Sequence, residues 1–294
     1  MKLGVIVNVQ RPEAEKTLAS ISRWAAKHKW PISMCARIDM EESPEFSSFP
    51  PGTFTSDTDL LLALGGDGTM LNAVRTVAHL RIPVLGVNLG TLGFLTVVPA
   101  AECTEALDRI RRKDYRIEDR LMLEVSDPSG ETEAWPAVND IVLIKAGIAR
   151  MVRFTVSHNG EPVSTFAGDG IIVATPTGST AYSLSVGGPI LMPTMNGYIL
   201  TPISPHTLAQ RPMVFDQSAE LEIAIDSVVG DAMLTVDGQL TRNLGEGSRV
   251  IIRASEHRAR LVSFSDRSFF EILREKLHWG MIPALGHERN LPRR

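Results

Sequence analysis

The chain contains little that would suit a secreted, membrane-spanning or DNA-binding protein. Only two of its 294 residues are cysteines, Cys35 and Cys103, too few for a disulfide framework or a cysteine zinc site. No apolar run approaches the roughly 18–20 residues of a membrane span, and the short apolar stretch after Met1 predicts a first strand rather than a signal peptide. The net charge is −4 without a long basic block. We therefore expect a cytoplasmic protein that binds neither membrane nor nucleic acid.

Familiar nucleotide-binding signatures are also missing. The sequence has no G-x-x-x-x-G-K-[ST] P-loop, no G-x-G-x-x-G fingerprint and no protein-kinase catalytic-loop set. Its hydrophobic content of 44% is enough for a proper core in one large domain or two ordinary ones. Any nucleotide chemistry must therefore reside in a different motif.

The order of patterns divides the chain into two parts. Residues 1–113 alternate apolar strands with amphipathic helices, which predicts an α/β domain with an open, mostly parallel sheet. Residues 114–267 contain short β-branched runs, among them 250–252 and 260–264, and predict a β-rich C-terminal domain. Asn159-Gly160 and Asp237-Gly238 are hairpin signals within it. Residues 268–294 contain a predicted helix at 269–277, and we expect this segment to return to the first domain.

The most informative motif is the glycine-rich turn LGGDGTML at residues 64–71, which follows an apolar strand and precedes a helix predicted over 70–80. Its glycines let the backbone bend sharply and approach a ligand, and the free N–H groups at a helix start suit a phosphate. The candidate phosphate loop comprises Gly65, Gly66, Gly68 and Thr69.

The carboxylate of Asp67 at the centre of this turn needs its own explanation, because it would repel a phosphate. A tight turn can hold an Asp for purely structural reasons. Between an apolar strand and a helix, however, the pattern favours a carboxylate that handles a hydroxyl proton or positions a metal ion. Phosphoryl transfer to a hydroxyl is therefore our first hypothesis, with Asp67 as the catalytic residue.

Three further clusters offer polar groups. Asn139-Asp140 precedes a short strand and either forms an ordinary turn or holds a ribose diol or an adenine edge. Gly168-Asp169-Gly170 fits a hairpin turn or a binding site equally well. Residues 175–189, TPTGSTAYSLSVGGP, contain more hydroxyls than one helix cap requires and favour a polar ligand. Two isolated residues are Arg150, a phosphate neutraliser or a surface residue, and His206, a structural hydrogen bonder.

Together and in this order, these motifs resemble those of the NAD kinases. The shared segments are LGGDGTML at 64–71, NLGTLGFLT at 88–96, VNDIVL at 138–143, the two clusters at 168–170 and 175–189, and ISPHTLAQRP at 203–212. The resemblance covers about residues 59–239. The glycine-aspartate turn alone also occurs in phosphofructokinases and lipid kinases, whereas its combination with Gly-Ser-Thr-Ala-Tyr is highly specific.

The resemblance implies transfer of the γ-phosphoryl group of ATP to the adenosine-ribose 2′-hydroxyl of NAD, forming NADP, with Mg²⁺ or another divalent cation. It implies that Asp67 accepts the proton, that Gly68 contacts the substrate beside it, and that Asn139 and Asp140 bind the adenosine side. It also implies a homodimer or homotetramer, and we name no residue as a metal ligand. Further NAD contacts are implied at Arg150, Ala167, Asp169, Thr180, Ala181, Tyr182, Ser183, Leu184, Ser185 and Gln239.

Two other functions compete with this one. A kinase acting on a lipid would need an apolar entry surface or membrane-binding segment, and one acting on a sugar phosphate would need several basic residues near the acceptor; the sequence shows neither. A non-catalytic dinucleotide sensor could keep the hydroxyl-rich segment and dispense with Asp67. The intact glycine-aspartate turn favours an enzyme.

Overall fold

The computed structural model describes residues 1–38, 54–129, 133–146, 151–207, 209–227, 232–265 and 268–280, and the backbone alone for 33–38. The chain divides into two units, Met1–Ser263 and Phe264–Arg294. Among the described residues, no helix combines the length and the apolar character needed to cross a membrane.

The N-terminal part contains the predicted parallel sheet. Strands β1 (Leu3–Asn8), β2 (Ile32–Ile38), β3 (Leu60–Gly65) and β4 (Val84–Asn88) lie parallel in the order β4-β3-β1-β2. Every residue of β1, β3 and β4 is buried, as expected for parallel strands covered on both faces. The connecting helices are α1 (Ala14–His28), α2 (Asp67–Val77) and α3 (Cys103–Arg111).

The part that follows α3 is dominated by antiparallel strands, as predicted. The short strand β5 (Val98–Pro99) comes before α3 and lies parallel to β4. The strands after α3 are β6 (Arg116–Ser126), β7 (Trp135–Ala137), β8 (Asp140–Lys145), β9 (Val152–His158), β10 (Glu161–Gly168), β11 (Gly170–Ala174), β12 (Gly197–Ile203), β13 (Met213–Asp216), β14 (Glu220–Ser227), β15 (Ala232–Val236), β16 (Leu240–Leu244) and β17 (Arg249–Ser263), with the short helix α4 (Tyr182–Ser185) before β12. Six of them form a separate sheet in the order β13-β12-β11-β8-β15-β16.

The remaining strands extend the parallel sheet instead of leaving it. The order β10-β9-β14-β17-β4-β3-β1-β2 is continuous, because β17 lies parallel to β4 at Leu261 and Val84 and antiparallel to β6 and β14. One hydrophobic core then fills the space between the two sheets, with Phe154 and Ile223 from the larger sheet packed with Leu143 and Ile171 from the smaller. The proposed division after residue 113 stays a prediction.

Three predicted details are wrong. Helix α2 begins at Asp67 rather than at 70, because Gly66 in an extended conformation already provides the N-cap, and a 3-10 turn covers 78–80. The runs at 250–252 and 260–264 belong to one strand, β17, with an irregularity between Ala254 and Arg258. Gly168-Asp169-Gly170 is not a hairpin turn, because β10 and β11 belong to different sheets.

Both predicted hairpins are confirmed. Asn159 and Gly160 connect the antiparallel strands β9 and β10, and both have positive φ, at 49° and 82°. Asp237 and Gly238 lie between β15 and β16, with φ of 52° and 64°. Asparagine, aspartate and glycine tolerate this left-handed region better than other residues do, which is why the sequence signal was reliable.

The second unit contains the predicted helix, α5 (Phe269–Leu277). It begins at Ser268, whose hydroxyl accepts a hydrogen bond from the backbone N–H of Glu271, while the Glu271 carboxylate accepts one from the Ser268 N–H. This reciprocal pair is a capping box, which satisfies two otherwise free donors at the helix start. The expected return of 268–294 to the first domain stays a prediction, and residues 281–294 lie outside the described part of the chain.

Candidate active site

Asp67 lies where β3 ends and α2 begins. Gly65 closes the strand and Gly66 caps the helix in an extended conformation, so that Asp67 is the first helical residue. A carboxylate at this position is stabilised by the free N–H groups and the positive end of the helix dipole. The sequence therefore predicted the location of the side chain, although not its place in the helix.

The Asp67 carboxylate is held by the loop that follows the neighbouring parallel strand β4. Its Oδ1 accepts hydrogen bonds from Leu95 N at 3.0 Å, Thr96 N at 3.1 Å and Thr96 Oγ1 at 3.1 Å. Its Oδ2 accepts one from Phe94 N at 2.8 Å. The loop approaches so closely that a Cβ at Gly93 would collide with the carboxylate. The two motifs at the carboxyl ends of β3 and β4 thus meet, as expected for an open parallel sheet.

Asn88, the last residue of β4, shapes this loop. Its side-chain amide donates to Thr91 O at 2.7 Å and to Thr96 Oγ1 at 2.9 Å, and its Oδ1 accepts from Gly90 N at 2.6 Å. The Thr96 hydroxyl in turn donates to Asp67. The sequence predicted that this loop, like the Asp67 turn, lies at the carboxyl end of a parallel strand, but it did not predict the role of Asn88, which no local pattern distinguishes from a turn residue.

Asn139 and Asp140 lie at the start of β8, next to the beginning of the hydroxyl-rich segment 175–189. Asp140 is buried, and its burial together with the neighbouring Asp237 carboxylate raises its pKa to about 7. Thr175 binds this pair through the backbone, because its N–H donates to Asn139 O at 2.8 Å and its hydroxyl donates to Val138 O at 2.6 Å. The structure therefore brings the predicted Asn139-Asp140 pair and the hydroxyl-rich segment 175–189 together.

Several hydroxyls of residues 175–189 have internal partners. Ser179 Oγ donates to Pro176 O at 2.7 Å, and Ser183 Oγ lies 2.9 Å from Thr201 Oγ1. These two side chains are fully buried and shape the segment, whereas Thr180 is half-buried and Tyr182 and Ser185 are exposed. In the described part of the chain, the buried Thr177 Oγ1 has no hydrogen-bond partner, as is also true of Asn72 Oδ1 on α2.

Asp169 forms a second cluster, at the crossover from β10 to β11. Lys145 Nζ lies 2.6 Å from its carboxylate and, by this hydrogen bond above all, holds the pKa of Asp169 below its usual range. The carbonyl of Ala167 accepts from the backbone N–H of His206 at 2.9 Å, and the structural role of the His206 side chain stays a prediction. None of the hydrogen bonds of the described residues joins Asp169 to the Asp67 turn. Arg150 lies outside the described residues.

Gln239 contacts the glycine-aspartate turn directly. Its Nε2 donates to Gly68 O at 2.9 Å, and its Oε1 accepts from Arg75. Asp237, two residues earlier, accepts from the backbone amides of Val138, Asn139 and Asp140 at 3.1, 2.7 and 3.2 Å. The sequence reading treated Asp237 only as a turn residue and did not single out Arg75.

The described residues contain no group of three or more His, Cys, Asp or Glu side chains that could hold a metal ion. Asp67 is the one carboxylate in the glycine-rich turn. A magnesium ion bound with a nucleotide commonly takes one or two protein carboxylates, with the phosphates and waters completing its shell. A single carboxylate fits that arrangement but not a metal cage built by the protein.

Family comparisons agree with this geometry. Residues 3–115 match the ATP-NAD kinase N-terminal domain, and residues 138–264 match the ATP-NAD kinase C-terminal domain. The chain belongs to the ATP-NAD kinase family. Among curated relatives, it is 38% identical to the NAD kinase of Magnetococcus marinus, over 98% of this chain and 96% of the relative. It is 40% identical to the NAD kinase of Heliobacterium modesticaldum, over 95% and 99%.

Solved structures of the family share the fold. A yeast NADH kinase, crystallised with NADH, superposes with a TM-score of 0.78 at 25% identity, covering 98% of this chain and 90% of that one. An NAD kinase from Archaeoglobus fulgidus, crystallised with ATP, gives a TM-score of 0.72 at 24% identity, covering 95% and 99%. The likeness extends through both parts of the chain, so the predicted fold class is confirmed.

Proposed function

We propose that this chain phosphorylates NAD to NADP by transferring the γ-phosphoryl group of ATP to the 2′-hydroxyl of the adenosine ribose, with Asp67 as proton acceptor. NAD phosphorylation as such follows from family membership. One observation above all supports the finer assignment: Asp67 lies at the start of α2, and Gln239 links its turn to the part of the chain that contains Asn139 and Asp140. A phosphate site and a sugar site are thus adjacent.

The donor side of the reaction uses the glycine-rich turn. Gly65, Gly66, Gly68 and Thr69 surround the first turn of α2, whose free N–H groups favour an anion. Catalysis of phosphoryl transfer is mostly positioning and charge stabilisation. The matching family models are those of ATP-NAD kinases, which supports ATP as the donor.

Asp67 is arranged to act on the acceptor hydroxyl. Oδ1 already accepts three hydrogen bonds, whereas Oδ2 accepts one, from Phe94. Oδ2, with one partner against three on Oδ1, is the oxygen with room to accept the ribose hydroxyl. The loop at 93–96 fixes the direction in which that oxygen faces, which is the positioning that a general base requires.

In this proposal, the divalent cation binds together with the triphosphate of ATP. When bound, it supplies charge neutralisation across the phosphate oxygens. Asp67 is the side chain of the turn that would contact it, in keeping with the single-carboxylate arrangement described above. The chain itself binds the nucleotides, orients the ribose and receives the proton at Asp67.

The acceptor side is assigned to Asn139, Asp140 and the segment 180–185. Asn139 is half-buried and Tyr182 is exposed. Gly178 lies so close to Asn139 that a Cβ there would collide with the Asn139 carbonyl, which also accepts the N–H of Thr175. The unpartnered Thr177 hydroxyl would gain a partner from a polar ligand there. Arg150, Ala167, Asp169 and Gln239 remain proposed NAD contacts, as do Thr180, Ala181, Ser183, Leu184 and Ser185.

Self-association into a homodimer or homotetramer and a cytoplasmic location also remain proposals. They come from the resemblance and from the composition, respectively. Equilibrium sedimentation of the purified chain, with and without NAD, tests the first.

The experiment that tests the function is an acceptor screen with ATP and Mg²⁺. NAD, NADH, a sugar phosphate and a diacylglycerol are offered in parallel, and NADP is read through a dehydrogenase that accepts only NADP. We expect rapid product formation with the dinucleotides and none with the sugar phosphate or the lipid. Turnover of either of the last two without NADP formation would establish the rival kinase instead, and tight NAD binding without turnover would establish the sensor.

A further inference from the structure

A series of hydrogen-bonded polar groups connects the glycine-aspartate turn to Asn139 and Asp140. It starts at the Gly68 carbonyl, which accepts from Gln239 Nε2 at 2.9 Å, and continues from Gln239 Oε1 to the Arg75 guanidinium. A second guanidinium nitrogen, Nη1, lies 2.7 Å from Asp237 Oδ2. Asp237 then accepts the three consecutive backbone amides of residues 138–140. Every link is a direct hydrogen bond.

These hydrogen bonds join helix α2 to the turn between strands β15 and β16. Helix α2 begins at Asp67 and contributes Arg75 from its last turn. The turn between β15 and β16 supplies Asp237 and Gln239. The helix is thus anchored at its start through Gly68 and two turns later through Arg75, so its direction relative to β8 is fixed at two points.

The charged pair at the centre is shielded from water. The Asp237 side chain has no exposed surface and that of Arg75 only 8%. Such buried pairs are weak contributors to stability compared with apolar residues of similar volume, because both charges lose their hydration. Such a pair does fix the relative orientation of the groups that it joins. A planar guanidinium donates to two acceptors in one fixed geometry, whereas an ammonium group does not.

We propose that Arg75 and Asp237 are positioning residues of the phosphoryl transfer, which hold the Asn139-Asp140 backbone at a set distance and angle from the Asp67 turn. The inference rests on the proposed function, because it takes Asn139 and Asp140 as the acceptor-binding pair. Neither residue touches substrate in this assignment. Each acts through the backbone of the residues that do.

A positioning role predicts which kinetic constants change. When these two hydrogen bonds of Arg75 are lost, the acceptor ribose shifts relative to Asp67 while the phosphate loop stays intact. A misplacement of about 1 Å can cost on the order of 100-fold in rate. We therefore expect kcat/KM for NAD to fall strongly and KM for ATP to change little.

The test uses Arg75→Lys, which keeps the charge and most of the side-chain volume but cannot bond Asp237 and Gln239 in the same geometry. We expect kcat/KM for NAD to fall about 10- to 100-fold, with KM for ATP within about threefold and the melting temperature close to that of the wild type. Asp237→Asn is the second variant, because its Nδ2 would replace an acceptor with a donor facing other donors. We expect the same kinetic split from it.

The matched control is Arg253→Lys. Arg253 forms an arginine-carboxylate pair of similar length with Glu124, 2.8 Å, but on the exposed face of strands β6 and β17. We expect wild-type kinetics from this control. An Arg75→Lys protein with unchanged kcat/KM for NAD, or with a KM for ATP raised well beyond threefold, would overturn the positioning role.

The experiment also distinguishes a failure of this inference from a failure of the proposed function. If the wild type formed no NADP, the proposed function would fail, and calorimetric NAD binding would decide the inference by itself. A tenfold or greater loss of NAD affinity in Arg75→Lys would then support it. An unchanged affinity, or no binding to the wild type, would overturn it.

Discussion

At the residue scale, the candidate site contains two carboxylates in unlike surroundings. Asp67 is half-buried and accepts hydrogen bonds from the loop that follows β4. Asp140 is buried next to another carboxylate, and its pKa is raised to about 7. The first is suited to receive a proton during the reaction, and the second changes its charge near neutral pH.

Replacing Asp67 by Asn tests its role as proton acceptor. The substitution keeps the size of the side chain but removes the charge and the basic oxygen. We expect kcat to fall by about 10²–10⁴-fold, while calorimetry shows that NAD still binds. Glu118→Gln, on strand β6 and outside the site, serves as the control for loss of one carboxylate. Turnover of Asp67→Asn at the wild-type rate would remove Asp67 from the catalytic step.

The raised pKa of Asp140 predicts how stability depends on pH. Between the ordinary value of 3.8 and about 7, the folded state binds this proton while the unfolded state has lost it. The free energy of unfolding contributed by this group therefore decreases as the pH rises through that window and levels off above it. Each unit of pKa shift corresponds to about 1.4 kcal/mol.

Asp140→Asn, which mimics the protonated carboxyl group, should abolish this dependence. We expect the variant to be as stable as the wild type near pH 4 and more stable, by a few kcal/mol at most, at pH 8. Urea denaturation at the two pH values measures the difference. A wild type that gains stability over the variant on going from pH 4 to pH 8 would contradict the raised pKa of the buried carboxyl group.

At the element scale, the important feature is the loop between β4 and β5. The sequence predicted that this loop would lie beside the Asp67 turn, because the carboxyl ends of adjacent parallel strands meet at one edge. It could not predict that three successive backbone amides would bind the carboxylate, since backbone donors have no sequence signature. Asp237 shows the same limit: Asp-Gly identified the hairpin, but its buried contacts lie about a hundred residues away in sequence.

Two glycines of this loop provide a matched test of the contact. A Cβ at Gly93 would collide with the Asp67 carboxylate, whereas one at Gly90 would meet its nearest atom at 3.7 Å, an ordinary contact. We expect Gly93→Ala to push the loop from Asp67 and to lower kcat at least tenfold, since a misplaced catalytic group can cost about 10²-fold. Gly90→Ala should retain nearly full activity. Equal kinetics for the two variants would show that the loop does not orient Asp67.

At the scale of the whole molecule, the predicted two-part composition is present but the parts share one sheet. Alternating strands and helices in the first hundred residues, and β-branched runs after them, gave the fold class. They could not reveal that β17 would lie beside β4, because that pairing depends on packing between residues far apart in the chain, Leu261 and Val84. The Arg75–Asp237 pair forms a second connection between the same two parts.

This continuity predicts that Met1–Ser263 unfolds as one cooperative unit. Leu62 on β3 and Ile223 on β14 are fully buried in opposite parts of the larger sheet. Truncating either to Ala should cost about 2–5 kcal/mol, and because β17 links the parts, each variant should shift one common transition. Urea unfolding followed by far-UV circular dichroism and by tryptophan fluorescence measures this, since Trp24 and Trp30 lie in the first part and Trp135 in the second. Coincident midpoints are expected for both probes in both variants. Two separate transitions in either variant would show that the two parts are independent folding units and that the shared strand does not couple them.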